Sequence, residues 1–175
     1  MLKEKPHLHP KWIVLCCINT FIIMENLFEV SEVKLTYKRT FELSEMLKTL
    51  SSKEICNLLR QCFNPETLDL TVSFKVLLLS PQKNVIGILN VADGQIFAKE
   101  KVKLIMQSAL LANADRIIIA HNHPDGDLTI RAMDDYITSQ VKKACQIMDI
   151  ELLDHVIITS ESYYSFADNK RIINN

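Results

Sequence analysis

The chain has 175 residues, 48% of them hydrophobic and 23% charged, with three Gly and five Pro. That is enough for one compact core and too short for two, and the composition excludes a disordered, collagen-like or low-complexity chain. Twenty Lys and Arg against 21 Asp and Glu leave a formal charge of -1, so no basic excess favours binding to a phosphate backbone.

At the amino terminus, Trp12 to Met24 is an apolar stretch preceded by Lys3, Lys5 and Lys11. It resembles the charged and apolar regions of a secretory signal but is too short to span a bilayer, so no stable membrane insertion is expected. Asn19 and Thr20 interrupt it, no small-residue cleavage site follows, and Glu25 and Glu29 come directly after. A second reading makes Met24 the start and residues 1–23 an extension outside the domain; His7 and His9 then belong to a solvated tail. Five cysteines (Cys16, Cys17, Cys56, Cys62, Cys145) form no C-x-x-C, which fits a reducing, cytoplasmic compartment better than a disulfide framework or zinc ribbon. Cys56, Cys62 and Cys145 read as small buried apolar residues.

Alternation from Glu32 to Tyr37 predicts a first strand. Leu43 to Leu50 and Lys53 to Phe63 have helical spacing, and Ser51 with Glu54 forms a capping box at the start of the second piece. Val72 to Leu79 and Val85 to Val91 flank the turn chemistry of Pro81 to Asn84, an antiparallel hairpin. A helix follows over about Lys99 to Asn113, with Val102, Ile105, Met106, Ala109 and Leu110 on one stripe. A short strand, Arg116 to Ala120, precedes a helix from about Ile130 to Met148 and a buried strand from Leu152 to Thr159. Tyr163, Tyr164 and Phe166 are expected to pack the carboxyl-terminal segment onto the core. The order of elements indicates a single α/β domain, a mixed-sheet α-β-α sandwich.

The chemistry concentrates in Ala120 to Asp135, AHNHPDGDLTIRAMDD. Strand alternation points His121 and His123 to one face and Asn122 to the other, and Pro124 to Gly126 turn the chain back across the strand end. On the next helix Asp134, Ile137, Val141, Ala144 and Met148 make an inward stripe, while Asp135, Thr138, Ser139 and Lys142 make the solvated one. An inward carboxylate needs a cation, a donor or a proton. A metal on His121 and His123 supplies the cation, and two His and one Asp leave a fourth position open, as in catalytic zinc sites. Iron and manganese remain open by ligand preference. Taken singly, the three residues also read as a polar strand end and a helix-dipole acid. The tripeptide His-Asn-His does not indicate an HNH nuclease, whose residues are dispersed.

The run from His121 to Asp134 resembles the H-x-H-x(7)-S-x-x-D signature of JAB/MPN (JAMM) metalloproteases, and HNHPDGDL is similar to the RadC version of it. VKLTY (33–37), FKVLLLS (74–80), VIGI (85–88), LDHVIIT (153–159) and YYSFAD (163–168) extend the likeness to short RadC-like proteins of the Bacteroidetes type over residues 28–170. The resemblance implies a cytidine-deaminase-like JAB/MPN fold and a zinc-dependent peptidase or isopeptidase. It implies one Zn2+ per chain on His121, His123 and Asp134, and a peptide or isopeptide substrate. In that family a glutamate takes the proton of the zinc-bound water and a serine hydrogen-bonds the tetrahedral centre. Here the serine is replaced by Arg131 and the glutamate position falls on Val72. Losing these groups damages hydrolysis more than metal binding. Arg131 is a candidate substitute donor to the oxyanion, or else blocks the site or lies in solvent. Glu100 is a candidate substitute base, or else a solvated acid at a helix start. Glu66 and Asp69 would need a register change that turns strand side chains to the wrong face. His155 is expected to be a core histidine or one that supports the metal ligands from behind, fixing a loop near the site, rather than a fourth ligand. The competing functions are a metal-binding interaction module without catalysis and, since RadC proteins have been called DNA repair proteins, a DNA-associated accessory factor, which the charge does not support.

Overall fold

In the computed structural model, residues 14–16, 20–22, 51–94 and 100–172 are described. The chain divides into Met1–Leu35 and Thr36–Asn175. In the first unit β1 (Val14–Cys16) pairs antiparallel with β2 (Thr20–Ile22). The remainder of the amino-terminal stretch, the strand expected at Glu32 to Tyr37 and the helix expected at Leu43 to Leu50 lie outside the described residues. Among the described residues no helix is long and apolar enough to cross a membrane.

Among the described residues of the second unit, the first element is α1 (Ser52–Cys62), whose first turn is capped by the Ser51 hydroxyl accepting from the Glu54 amide at 3.3 Å. Ile55, Cys56 and Leu59 are its buried side. Then come β3 (Ser73–Leu79), β4 (Val85–Asp93), α2 (Glu100–Leu111), β5 (Arg116–Asn122), α3 (Ala132–Ile147), β6 (Glu151–Ile158) and β7 (Tyr163–Ser165). The sheet order is β4-β3-β5-β6-β7, antiparallel throughout except for the parallel pair β5/β6. The last strand, β7, is an addition to the expected order.

Helices cover both faces, so the central strands are buried along their length and read as apolar runs rather than alternating ones. On one face Leu77, Leu79, Ile118, Ala120, Val156 and Ile158 pack with Ile55, Leu59 and Phe63 of the α1 region. On the other, Phe74, Val76, Ile117, Ile119 and Ile157 pack with Ile105 and Ala109 of α2 and Ile137 and Val141 of α3. This is a mixed α-β-α sandwich, the architecture expected of a JAB/MPN fold. Both α2 and α3 end in a left-handed residue, Asn113 (φ 51) and Asp149 (φ 54). Past each, an amide reaches back to the last turn, Ala114 to the Ala109 carbonyl and Ile150 to the Cys145 carbonyl, both at 2.9 Å.

Two details of the strands place the site. β5 runs past Ala120, the expected end, to Asn122, so His121 is a strand residue opposite Phe74 and Ile157. In β6, Leu153 is an extra residue: Ile117 pairs with Leu152 but Ile118 pairs with Asp154. Such a bulge reverses the alternation beyond it. His155 therefore comes to the same face as Leu152 and Ile157, the face of His121.

Candidate metal site

His121 leaves β5 on the α3 side, and His123 follows just past the strand end, its amide held by the Ile158 carbonyl at 2.9 Å. Asn122 between them points to the opposite face. There it accepts from the Ser73 amide at 2.6 Å and donates to the carbonyls of Leu68 and Thr71 at 2.5 and 2.8 Å. This clamp fastens the segment before β3 to the end of β5. Pro124 to Gly126 turn the chain, with Gly126 at φ 75 and its amide on the His123 carbonyl.

Asp134 stands in the first turn of α3. The Arg131 amide donates to its Oδ2 at 2.7 Å, so the carboxylate is aimed by the backbone of its own helix. His121, His123 and Asp134 are 5%, 2% and 3% exposed, and one ligand atom from each lies within 4.8 Å of the others. The two Nε2 atoms are 3.0 Å apart, His121 Nε2 is 3.1 Å from Asp134 Oδ1, and His123 Nε2 is 3.6 Å from Asp134 Oδ2. Donors of a tetrahedral site with bonds of about 2.0–2.1 Å are about 3.3 Å apart, and the two nitrogens, each with a different oxygen of Asp134 nearest it, lie near that spacing. The Asp127 carbonyl, 2.6 Å from His123 Nδ1, accepts the proton of that nitrogen and leaves Nε2 with its lone pair facing the cluster. Two nitrogens and a carboxylate buried together make a concentration of electron pairs that a divalent cation would satisfy, and the residues fit one.

The electrostatics point the same way. Burial drives the His121 imidazole toward neutrality, against the pull of Asp134. Burial acts likewise on His123, but hydrogen bonds to Asp134 and the Asp127 carbonyl win and raise its pKa. Burial alone would raise the Asp134 carboxyl; the two imidazoles against it, whose protonated forms its charge would favour, and the Arg131 amide instead hold it far below the usual carboxylate range.

The expected site residues fall in different places. His155 lies directly behind His121, its Nε2 2.8 Å from His121 Nδ1. Its other nitrogen is 2.6 Å from the hydroxyl of Thr138, and Phe166 stacks on its ring at 4.7 Å between centroids. Thr138 corrects the expected solvated stripe. It is buried with Asp134, Ile137, Val141 and Cys145, whereas Met148 of the expected inward stripe is 44% exposed. Thr138 is one helical turn after Asp134, a spacing that places it on that face as readily as on the face of Asp135.

Arg131 is the residue before α3, and its guanidinium turns to the Asp125 carboxylate in the loop between His123 and Asp134. Both side chains of this pair are about half exposed. Val72 directly precedes β3, two residues before Phe74 and hence on the side of the sheet that carries His121. No carboxylate is offered from that position. Glu100 begins α2, and its side chain lies outside the described residues.

A mixed five-stranded sandwich with a buried His-His-Asp group that could hold a metal at the carboxyl end of a central strand belongs to the α/β class, in which ligands gather beyond the strand ends. Within that class the chain belongs to the RadC-like JAB domain family, whose profile matches residues 49–171. It is 32% identical over 132 residues to a UPF0758 protein of Flavobacterium johnsoniae, covering 75% of this chain and 56% of that protein. It is 31% identical over 159 residues to a UPF0758 protein of Pasteurella multocida, covering 87% and 66%. A Thermotoga maritima UPF0758 protein is 36% identical over 98 residues, 54% of this chain and 43% of the relative. The chain thus spans less than two thirds of the length of these relatives.

Proposed function

We propose that this chain is a zinc-dependent JAB-domain hydrolase of amide or isopeptide bonds in a peptide substrate, with turnover limited by Val72 and Arg131. The observation that carries the reading is the buried triangle of His121 Nε2, His123 Nε2 and Asp134, with separations of 3.0 to 3.6 Å. Two imidazoles and one carboxylate are a ligand set that zinc favours, with a position left for water or substrate. When bound, zinc supplies Lewis acidity that brings a water's pKa toward neutrality and polarises a carbonyl.

The chain's own residues hold and orient. The Arg131 amide aims Asp134, the Asp127 carbonyl fixes His123, and the Phe74 ring, stacked 6.0 Å from His121, excludes water behind it. Val72 brings no base to its position, a deficit of about 10² to 10⁴ in rate. The guanidinium of Arg131 is engaged by Asp125, and a missing oxyanion donor costs about 10² to 10³. The free thiols of Cys56, Cys62 and Cys145 suit a reducing, cytoplasmic setting.

The test is the metal content of the purified chain beside Asp134→Ala. Near-stoichiometric zinc that vanishes in the variant is expected, and a wild-type chain that cannot be loaded would overturn the reading. A second reading, a metal-binding interaction module without turnover, is favoured by Val72 and by the Arg131–Asp125 pair. Val72→Glu combined with Arg131→Ser decides between them. A gain in peptidase activity supports the hydrolase, and bound zinc with no gain supports the module.

A further inference from the structure

Behind His121 lies a chain of buried polar groups that makes no use of solvent. The Asp134 carbonyl is 2.6 Å from the Thr138 hydroxyl, that hydroxyl is 2.6 Å from His155 Nδ1, and His155 Nε2 is 2.8 Å from His121 Nδ1. The protons along it can be assigned from one end. A carbonyl only accepts, so the single Thr138 proton goes to Asp134 O, and the Thr138 oxygen must accept from His155 Nδ1–H. His155 is fully buried and its two ring nitrogens meet Thr138 and His121 rather than a carboxylate, so a charged ring there would be a buried cation with no counter-charge on it; as the neutral ring, its Nε2 carries a lone pair and accepts from His121 Nδ1–H. The remaining nitrogen of His121, Nε2, is then left with its lone pair toward His123 and Asp134.

We infer that Thr138 and His155 are positioning residues that set the tautomer of His121, with the backbone carbonyl of Asp134 as the fixed end of the relay. The same aspartate thus serves the site twice, as a donor through its carboxylate and as a proton anchor through its main chain. The bulge at Leu153 makes this possible, since it is what brings His155 to the face of His121. Phe166, stacked on His155 at an interplanar angle of 21°, keeps the ring in the plane the relay requires. Breaking the chain at Thr138 removes the acceptor for His155 Nδ1–H. His155 then moves its proton to Nε2 and donates to His121 Nδ1, which forces the proton of His121 onto Nε2, inside the cluster. A metal must displace that proton to bind.

The relay deepens the zinc reading and rests on it for its effect on affinity, but the tautomer exists with or without metal, and the two can be tested apart. The experiment compares the full chain with Thr138→Val, which keeps the shape and deletes the hydroxyl, and Thr138→Ser, which keeps the hydroxyl and deletes the methyl. Nitrogen-15 NMR of the histidine rings in the metal-free chain reports the tautomer, and competition with a chromophoric chelator reports the zinc dissociation constant. The expected result is His121 protonated on Nδ1 in wild type and Thr138→Ser and on Nε2 in Thr138→Val, with zinc held about 10- to 100-fold more weakly by Thr138→Val alone. A folded Thr138→Val with an unchanged His121 tautomer overturns the inference. So does an equal loss of affinity in Thr138→Ser, which would trace the effect to packing. Should Thr138→Val fail to fold, His155→Gln read against His155→Phe repeats the affinity test, since only Gln keeps an acceptor within reach of His121 Nδ1; equal affinities there overturn the inference. A wild-type chain that takes up no zinc yet shows the assigned tautomers removes the function proposed above and leaves the relay standing.

Discussion

The backbone amide of Arg131 donates to Oδ2 of Asp134 at 2.7 Å while the guanidinium of the same residue leaves the site for Asp125. The useful contact of Arg131 is therefore one that any residue except proline provides. Its side chain has no acceptor with which to cap α3, whose free amides a serine would serve for about 1 kcal/mol. The ion pair given up is about half exposed on both sides and contributes about 0–1 kcal/mol. Arg131→Ser is expected to leave stability unchanged or raise it by up to about 1 kcal/mol in urea unfolding, with zinc stoichiometry retained. A loss larger than that would mean the Arg131–Asp125 pair fastens the loop.

Asn122 predicts the opposite kind of result. It is completely buried, and all three of its close bonds go to main chain, at Ser73, Leu68 and Thr71. Asn122→Ala strands one amide and two carbonyls, at a cost of about 2–4 kcal/mol. Asn122→Asp is expected to be worse, because a carboxylate cannot donate to either carbonyl and is buried as a charge. Thermal unfolding of the two variants should rank them in that order; an Asn122→Asp chain as stable as wild type would show that the clamp is open to water.

How far the sequence discloses this arrangement depends on the range of the interaction concerned. The placing of His121 and His123 on one face follows from alternation in a single strand, and the inward turn of Asp134 follows from the periodicity of a single helix. The hairpin of β3 and β4 was equally readable, since its turn residues are contiguous. Helical spacing places Thr138 between two stripes, so the sequence alone leaves it on the solvated side, and only packing against β6 decides between them. His155 could not be paired with His121 from the sequence, because a parallel neighbour is chosen at long range and the extra residue at Leu153 reverses the face on which His155 falls. β7 is three residues long, too short for any period to show.

The two left-handed helix ends give a graded prediction. Asp149 at φ 54 and Asn113 at φ 51 occupy a region that glycine enters without steric cost. Asn tolerates it better than most residues, so Asp149→Gly should stabilise by about 0.5–1 kcal/mol and Asn113→Gly by less. Alanine at either position should destabilise. Urea midpoints for the four variants test the order, and an alanine that stabilises would contradict the backbone geometry.

The buried histidines also set how the metal-free chain responds to acid. His155 and His121 have folded-state pKa values below the ordinary 6.5, each first because of burial, so the unfolded chain takes up protons that the folded chain refuses. Stability from these two is complete above about pH 6.5 and is lost as pH falls below it, with a slope of at most about 1.4 kcal/mol per pH unit for each. His123 acts in the other sense. Its folded pKa is raised, so its contribution is full below the ordinary value, fades as pH rises through the raised one, and adds no slope in acid. Asp134, held low, enters only below its ordinary 3.8, where stability is lost again as its carboxylate is protonated. Between about pH 6.5 and 4 these two histidines lower stability as acid is added while the Asp154 carboxyl, raised by burial, acts in the opposite sense above its ordinary 3.8, and His155→Gln should make the loss with acid shallower by removing one of the two histidine contributions. Urea unfolding of the chelator-treated chain at about pH 7.5, 6 and 5 measures both slopes. Equal slopes in wild type and variant would mean that His155 titrates freely in the folded protein, and the neutral ring placed behind His121 would have to be given up.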